Sequence, residues 1–286
     1  MEKNHVKQAS KQASKQASKQ ASKQAIILAA DERYSEKLLS TIKSICFHNK
    51  NIKFYLLNRD FSSEWFEHIN SYLKILDSEI IDIKISSEII KSYRTYGHIS
   101  SNATYFRYFI SDLINEDKVL YLDCDIIVNG SLKPIFELDI NNYFLAAVSD
   151  DLAQNLHGRH NEFNAGVMLI NNKLWKSNQI CDKAIYLSNQ YAGQMPDGDQ
   201  TILNLLFKDK WLELSYMANY LVGGEFLYLN AGREDLIRRK NGEIPIVLHF
   251  NTEYKPWYPI YNLPFREFYW FYYQLSWEQI IRKMTE

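Results

Sequence analysis

Two short acidic patterns and one histidine carry most of the chemistry this chain's residue types allow. Asp123-Cys124-Asp125 follows the apolar run Lys118-Val119-Leu120-Tyr121-Leu122, which reads as a strand stopping at the first aspartate. On an extended backbone, residues two apart point to the same side, so the pair can offer hard oxygen ligands to one divalent cation. Asp197-Gly198-Asp199 is a second Asp-x-Asp, but it precedes Gln200-Thr201-Ile202-Leu203-Asn204-Leu205-Leu206 and reads as a helix start, where an aspartate also serves as a cap. His249 ends the apolar run Ile246-Val247-Leu248, with Lys255-Pro256-Trp257 close behind. Two carboxylates and one imidazole leave coordination positions open for a diphosphate and suit Mn2+, Mg2+ being a poorer match for the nitrogen. An Asp-x-Asp alone is weak, an acidic turn after a strand is the alternative for Asp123 and Asp125, and a strand-end histidine is by itself more often structural.

The elements that must position these residues alternate. Residues 26–30 (Ile-Ile-Leu-Ala-Ala) form a buried-type strand, and after Asp31 the residues Leu38, Leu39, Ile42, Ile45 and Cys46 recur at helical spacing. Residues 53–57 read as a strand, Ser62 or Ser63 caps a helix running to Leu76, and residues 79–85 read as a third strand. Residues 101–114 read as a helix presenting Arg107 and leading into the strand before Asp123. This order predicts an α/β fold with a mainly parallel central sheet and helices on its faces. Ligands in such sheets bind beyond the carboxyl ends of strands, so Asp31 and the Asp123/Asp125 pair should face one crevice.

Composition narrows the function classes. A chain of 286 residues with 46% hydrophobic content fits one large domain with appendages. Lys and Arg total 33 against 34 Asp and Glu, a net charge of -1 that gives no support for a nucleic-acid partner. Three scattered cysteines form neither a disulfide framework nor a paired metal motif, and no apolar run suits a membrane span or a secretory signal. A cytoplasmic protein is the expectation. Residues 7–22 repeat Lys-Gln-Ala-Ser four times and Lys23-Gln24-Ala25 begins a fifth copy, so residues 1–25 are expected to be a disordered tail. Lys-Gln-Ala-Ser can be encoded by one four-base unit repeated three times, which predicts slippage and phase variation; a plain charged linker is the alternative. Aromatic residues crowd residues 258–286, among them Phe265, Phe268, Tyr269, Trp270, Phe271, Tyr272, Tyr273 and Trp277, beside Arg266, Arg282 and Lys283. They suit either packing on the core or peripheral contact with a membrane surface.

Taken in order, several blocks resemble the family-8 retaining glycosyltransferases, especially bacterial lipooligosaccharide α-galactosyltransferases. They are Ala29-Ala30-Asp31-Glu32-Arg33-Tyr34, His98-Ile99-Ser100, Tyr105-Phe106-Arg107, the run from Val119 to Asp125, the run from Phe163 through Asn164-Ala165-Gly166 to Asn171, Asp199-Gln200, and His249 with Lys255-Pro256-Trp257. The resemblance covers residues 26–257 and implies a GT-A-type nucleotide-sugar-binding domain. It implies Asp123, Asp125 and His249 as ligands of Mn2+, with the cation acting as a Lewis acid on the UDP diphosphate. It further implies Lys255 on the phosphates, Ala29, Asp31 and Tyr34 on uridine, and His98 at the donor. Arg107, Asp150, Asn164, Ala165 and Asp199 would bind the donor sugar, with Gln200 near the anomeric carbon. Asp199 and Gln200 are the catalytic candidates, yet neither is a clear nucleophile, so front-face displacement is expected rather than a covalent intermediate.

The implied activity is transfer of a hexose, galactose first and glucose second, from a UDP-sugar to a lipooligosaccharide acceptor, at or near the inner face of the cytoplasmic membrane. Rival readings are a sugar hydrolase and a non-catalytic nucleotide-sugar-binding protein. Two departures from the family pattern bear on the site. Arg33 stands where relatives often have Asn, and Thr252 stands where a Gly is usual in the loop between His249 and Lys255.

Overall fold

The computed structural model describes residues 23–86, 102–240 and 242–286, for Asn102 the backbone alone. His98 and the repeats through residue 22 lie outside the described residues. In chain order the elements are β1 (Gln24–Ala29), α1 (Ser35–Cys46), β2 (Ile52–Asn58), α2 (Ser63–Leu73), β3 (Glu79–Lys84), a 3-10 helix (Asn102–Phe109), α3 (Ile110–Leu113), β4 (Lys118–Leu122), β5 (Ile126–Val128), α4 (Lys133–Phe136), β6 (Leu145–Ser149), α5 (Asp151–His157), β7 (Phe163–Asn171), α6 (Asn172–Ser177), α7 (Ile180–Gln190), α8 (Asp199–Leu206), β8 (Trp211–Glu213), β9 (Tyr220–Leu221), α9 (Val222–Asn230), β10 (Val247–His249), α10 (Arg266–Gln274) and α11 (Trp277–Thr285). One sheet has the order β3-β2-β1-β4-β7-β6-β8, and a second has β5-β10-β9.

Strand periodicity divides the core. Ile26, Leu28, Phe54, Leu56, Leu120 and Leu122 face one side of the large sheet, against α1, α2 and α11. Ala25, Ile27, Tyr55, Leu57, Val119 and Tyr121 face the other, against residues 103–114 and helices α7 and α8. Burial on both faces explains why these strands read as continuous apolar runs, and each such aliphatic side chain contributes roughly 1.5–3 kcal/mol. Ser62 caps α2 by accepting from Trp65 N–H. β1 begins within the fifth repeat copy, not after it: Gln24 and Ala25 pair with Ile52 and Lys53, and the small Ala25 is buried. The tail boundary expected at residue 25 therefore moves back by two residues.

Topology gathers one end of the sheet. β1 runs parallel to β4, β7 is antiparallel to both β4 and β6, and so the carboxyl ends of β1, β4 and β6 meet the start of β7. Asp31, Asp123, Asp150 and Asn164 are thereby brought to one edge, the place where open α/β sheets bind ligands. The second sheet supplies the remaining residues, because β5 leaves the turn after Asp125 and pairs antiparallel with β10, Ile126 opposite His249.

The C-terminal aromatics are largely inward. Tyr269, Tyr272 and Trp277 are buried, and Trp277 stacks on Tyr72 of α2 with ring centroids 5.3 Å apart. Tyr258, Tyr261 and Phe271 remain exposed. Among the described residues no helix is long and apolar enough to cross a membrane.

Candidate active site

Asp123 and Asp125 flank a turn rather than lying along an extended strand. β4 ends where Asp123 N–H bonds the carbonyl of Gly166, 2.9 Å away, and the chain must reverse to enter the second sheet. Buried Thr41 of α1 pins that turn, its hydroxyl lying 3.1 Å from the carbonyl of Cys124 and 2.8 Å from that of Ile126. The carboxylates still converge. Oδ1 of Asp123 accepts from the Tyr121 hydroxyl at 2.7 Å and from Arg107 at 2.9 Å, which leaves Oδ2 facing His249 Nε2 at 3.8 Å. Oδ2 of Asp125 accepts from Lys255 at 2.5 Å, which leaves Oδ1 at 3.3 Å from the same nitrogen.

One ligand atom from each of Asp123, Asp125 and His249 lies within 4.8 Å of the others. Asp125 Oδ1 is buried without a hydrogen-bond donor, a costly state for a carboxylate oxygen unless a cation completes it. The donor set and this orphaned oxygen fit a divalent metal with mixed oxygen and nitrogen ligands. Burial alone would raise the Asp125 carboxyl, but Lys255 and His249 outweigh it and hold it well below the usual carboxylate range. Gly166 makes the convergence possible, since a Cβ there would stand 2.2 Å from Cε1 of His249.

Arg107 is the second organiser. Within the helix expected for 101–114, residues 102–109 wind as a 3-10 helix, and three residues per turn put Thr104 and Arg107 on one face. The guanidinium lies over the Tyr121 ring at 4.5 Å, donates to the Ala165 carbonyl at 2.7 Å, and pairs with Asp123 and Asp199 at 2.9 and 2.8 Å. Thr104 donates to the other Asp199 oxygen at 2.6 Å. Burial nevertheless pushes the Asp199 carboxyl up, against the pull of Arg107 and Thr104. Asp199 is the first residue of α8, whose cap position is Gly198; its side chain points into this network instead of capping the helix.

Gln200 is fixed at both ends: its Oε1 accepts from Ala165 N–H at 3.0 Å and its Nε2 donates to Asp150 Oδ2 at 2.9 Å. Asp150 Oδ1 caps α5 through Ala153 N–H. Ala29, Asp31, Tyr34, Arg107, Asp123, Asp125, Asp150, Asn164, Asp199, Gln200, His249 and Lys255 all line one cleft of about 350 Å³, a volume in the range of small-molecule sites. Ala165 is the exception, buried behind the wall with its backbone committed to Gln200 and Arg107. Arg33 turns back onto Asp31 at 2.8 Å, and the Thr252 side chain fills a hollow that exists because residue 223 is glycine. Sequence reasoning passed over Thr41, Thr104, Tyr121, Gly166 and Asn219 as site residues; Tyr121 and Gly166 stood inside quoted blocks, and no spacing marks the others.

A three-ligand cluster and a cleft at the carboxyl edge of a mainly parallel sheet define a GT-A-type glycosyltransferase architecture. The chain belongs to Glycosyl transferase family 8, whose signature matches residues 25–260. Among curated relatives, glycosyltransferase GlyB of Streptococcus pneumoniae serotype 4 is 40% identical over 260 residues, covering 90% of this chain and 63% of that protein. GlyA of the same organism is 39% identical, with 90% of this chain and 35% of GlyA covered. A putative glycosyltransferase of Haemophilus influenzae is 31% identical over 82% of this chain and 72% of its own length. The chain thus spans from about a third to under two thirds of these pneumococcal relatives. The crystal structure of pneumococcal GlyE superposes with a TM-score of 0.80 at 36% identity, covering 91% of this chain and 62% of GlyE. That of the galactosyltransferase LgtC with donor and acceptor sugar analogues gives 0.76 at 26% identity, covering 91% and 99%.

Proposed function

We propose that this glycosyltransferase moves a hexose, galactose in the first instance, from its UDP conjugate to a sugar hydroxyl of bacterial lipooligosaccharide, with retention of configuration and dependence on Mn2+. The observation that carries the reading is the convergence of Asp123, Asp125 and His249 beside a cleft lined by Ala29, Asp31 and Tyr34. The likeness to LgtC, described as a galactosyltransferase, supports galactose over glucose. A divalent cation held by the three ligands supplies Lewis-acid neutralisation of the diphosphate leaving group. Lys255 adds positive charge at the phosphate end, and Tyr34 and Asp31 hold the nucleoside.

Around the sugar, Asp150, Asn164 and Gln200 present one connected polar wall, while Arg107 keeps Asp199 in place. Asp199 and Asp150 are both engaged by fixed donors, and Gln200 is a neutral amide. That engagement supports front-face displacement, in which the departing phosphate oxygen takes the acceptor's proton, over attack by a protein carboxylate. On this reading the protein works in the cytoplasm. Contact with a membrane bearing the acceptor would fall to exposed Tyr258, Tyr261 and Phe271.

The test is a screen of UDP-galactose and UDP-glucose with Mn2+ against truncated lipooligosaccharides, with the anomer of the product assigned by NMR. An α-linked galactoside, lost in Asp125→Asn, is expected. A β-linked product, free sugar alone, or full activity in Asp125→Asn would overturn the proposal.

A further inference from the structure

An imidazole can ligate a cation through Nε2 only when its single proton sits on Nδ1. In this chain a backbone group three bonds removed decides that question. Gly166 N–H, which can only donate, bonds Asn164 Oδ1 at 3.1 Å and so fixes which end of that amide faces inward. Asn219 must then turn its NH2 toward the same oxygen, 2.9 Å away, while the Asn164 NH2 faces Asp150 Oδ2 at 3.3 Å. What is left of the Asn219 amide is Oδ1, an acceptor only, 3.0 Å from His249 Nδ1. An acceptor there keeps a proton on Nδ1 and leaves Nε2, which faces Asp125 Oδ1 and Asp123 Oδ2, as the nitrogen open to a cation.

Asn219 is fully buried, precedes β9, and is held there by the pairing of Leu221 with His249. It is not among the residues lining the cleft. We infer that Asn219 is a positioning residue with two duties: it sets the tautomer and direction of His249, and through Asn164 it ties that ligand to the Asp150–Gln200 wall of the sugar site. The inference rests on the reading of His249 as a metal ligand. Outer partners of metal-bound histidines act by fixing ring orientation and raising ligand basicity.

Two variants separate the duties. Asn219→Asp keeps an acceptor for Nδ1–H but sets a second acceptor against Asn164 Oδ1. Asn219→Leu removes both bonds. Mn2+ titrations followed by electron paramagnetic resonance should show Asn219→Leu weakened by about 10–100-fold, the usual effect of losing such a partner, and Asn219→Asp close to wild type. The KM for UDP-sugar should rise in both, because the Asn164 amide loses the Asn219 donor in each. Imidazole 15N shifts of the metal-free wild type should report a proton held on Nδ1, and those of Asn219→Leu its partial loss from that nitrogen. Wild-type protein that fails to bind Mn2+ would remove the metal reading and leave the tautomer result standing. Wild-type His249 with no proton on Nδ1, or folded Asn219→Leu with unchanged Mn2+ affinity, would overturn the inference itself.

Discussion

Replacing Gly166 with alanine adds one methyl where the ligands meet. Its carbon would stand 2.2 Å from Cε1 and 2.8 Å from Nδ1 of His249, and 2.9 Å from Oδ2 of Asp123. Carbon atoms in ordinary contact are about 3.5 Å apart, so the imidazole must retreat by roughly 1.3 Å. Metal–ligand distances tolerate about 0.2 Å, so the retreat takes Nε2 out of bonding range. The backbone offers little relief, because the Gly166 carbonyl accepts from Asp123 and its N–H bonds Asn164. Overpacking of this kind costs about 1–3 kcal/mol, less than the roughly 5–15 kcal/mol that holds a domain folded. Gly166→Ala should therefore stay folded by circular dichroism and lose Mn2+ affinity. Its turnover with the UDP-sugar should fall by about 100-fold, the scale of a 1 Å misplacement at a reacting centre. A folded Gly166→Ala protein with wild-type Mn2+ affinity and turnover would refute the steric argument.

Two further outcomes follow from the buried charges. Arg107→Met leaves Asp123 and Asp199 without their shared cation and should destabilise the fold by about 3–5 kcal/mol in urea unfolding; adding Asn at position 199 should restore part of it, and a loss under about 1 kcal/mol would show the pairs to be dispensable. Burial lifts the Asp151 carboxyl to about 6 against the pull of Arg238. A carboxyl raised on folding contributes stability that is fully present below about pH 4 and is lost as pH rises through about 6. Asp151→Asn should accordingly melt with wild type near pH 4 and above it near pH 8, by less than about 1 kcal/mol because the site is partly solvated. A lower melting temperature for the variant at the higher pH would contradict this.

The large sheet was legible because its strands are buried on both faces, and Ile26, Ile27, Leu28 and Val119 to Leu122 leave no polar gap in the pattern. The small sheet was not. Its strands are two or three residues long, too short for any period, and β9 exists only because β10 lies beside it. His249 was found through its resemblance block, whereas Asn219, one residue before β9, carries no local mark. Residues 102–109 were legible as helical but not as 3-10, since Tyr105, Phe106, Tyr108 and Phe109 are all buried and an apolar-rich stretch does not distinguish three from 3.6 residues per turn. Asp150 and Thr104 reach Gln200 and Asp199 only through contacts distant in sequence. The acidic pair was legible as a strand-end signal, but its turn geometry came from Gly166 and Thr41, 41 to 43 and 82 to 84 residues away.

The proposed function depends on three side chains holding one cation. Crystals grown with Mn2+ and UDP, measured at the manganese absorption edge, test it most directly. The expected result is one anomalous peak about 2–2.4 Å from Asp123, Asp125 and His249 Nε2, with the UDP phosphates on its open side. A peak elsewhere in the molecule, or UDP bound in the cleft with no peak at these residues, would contradict it.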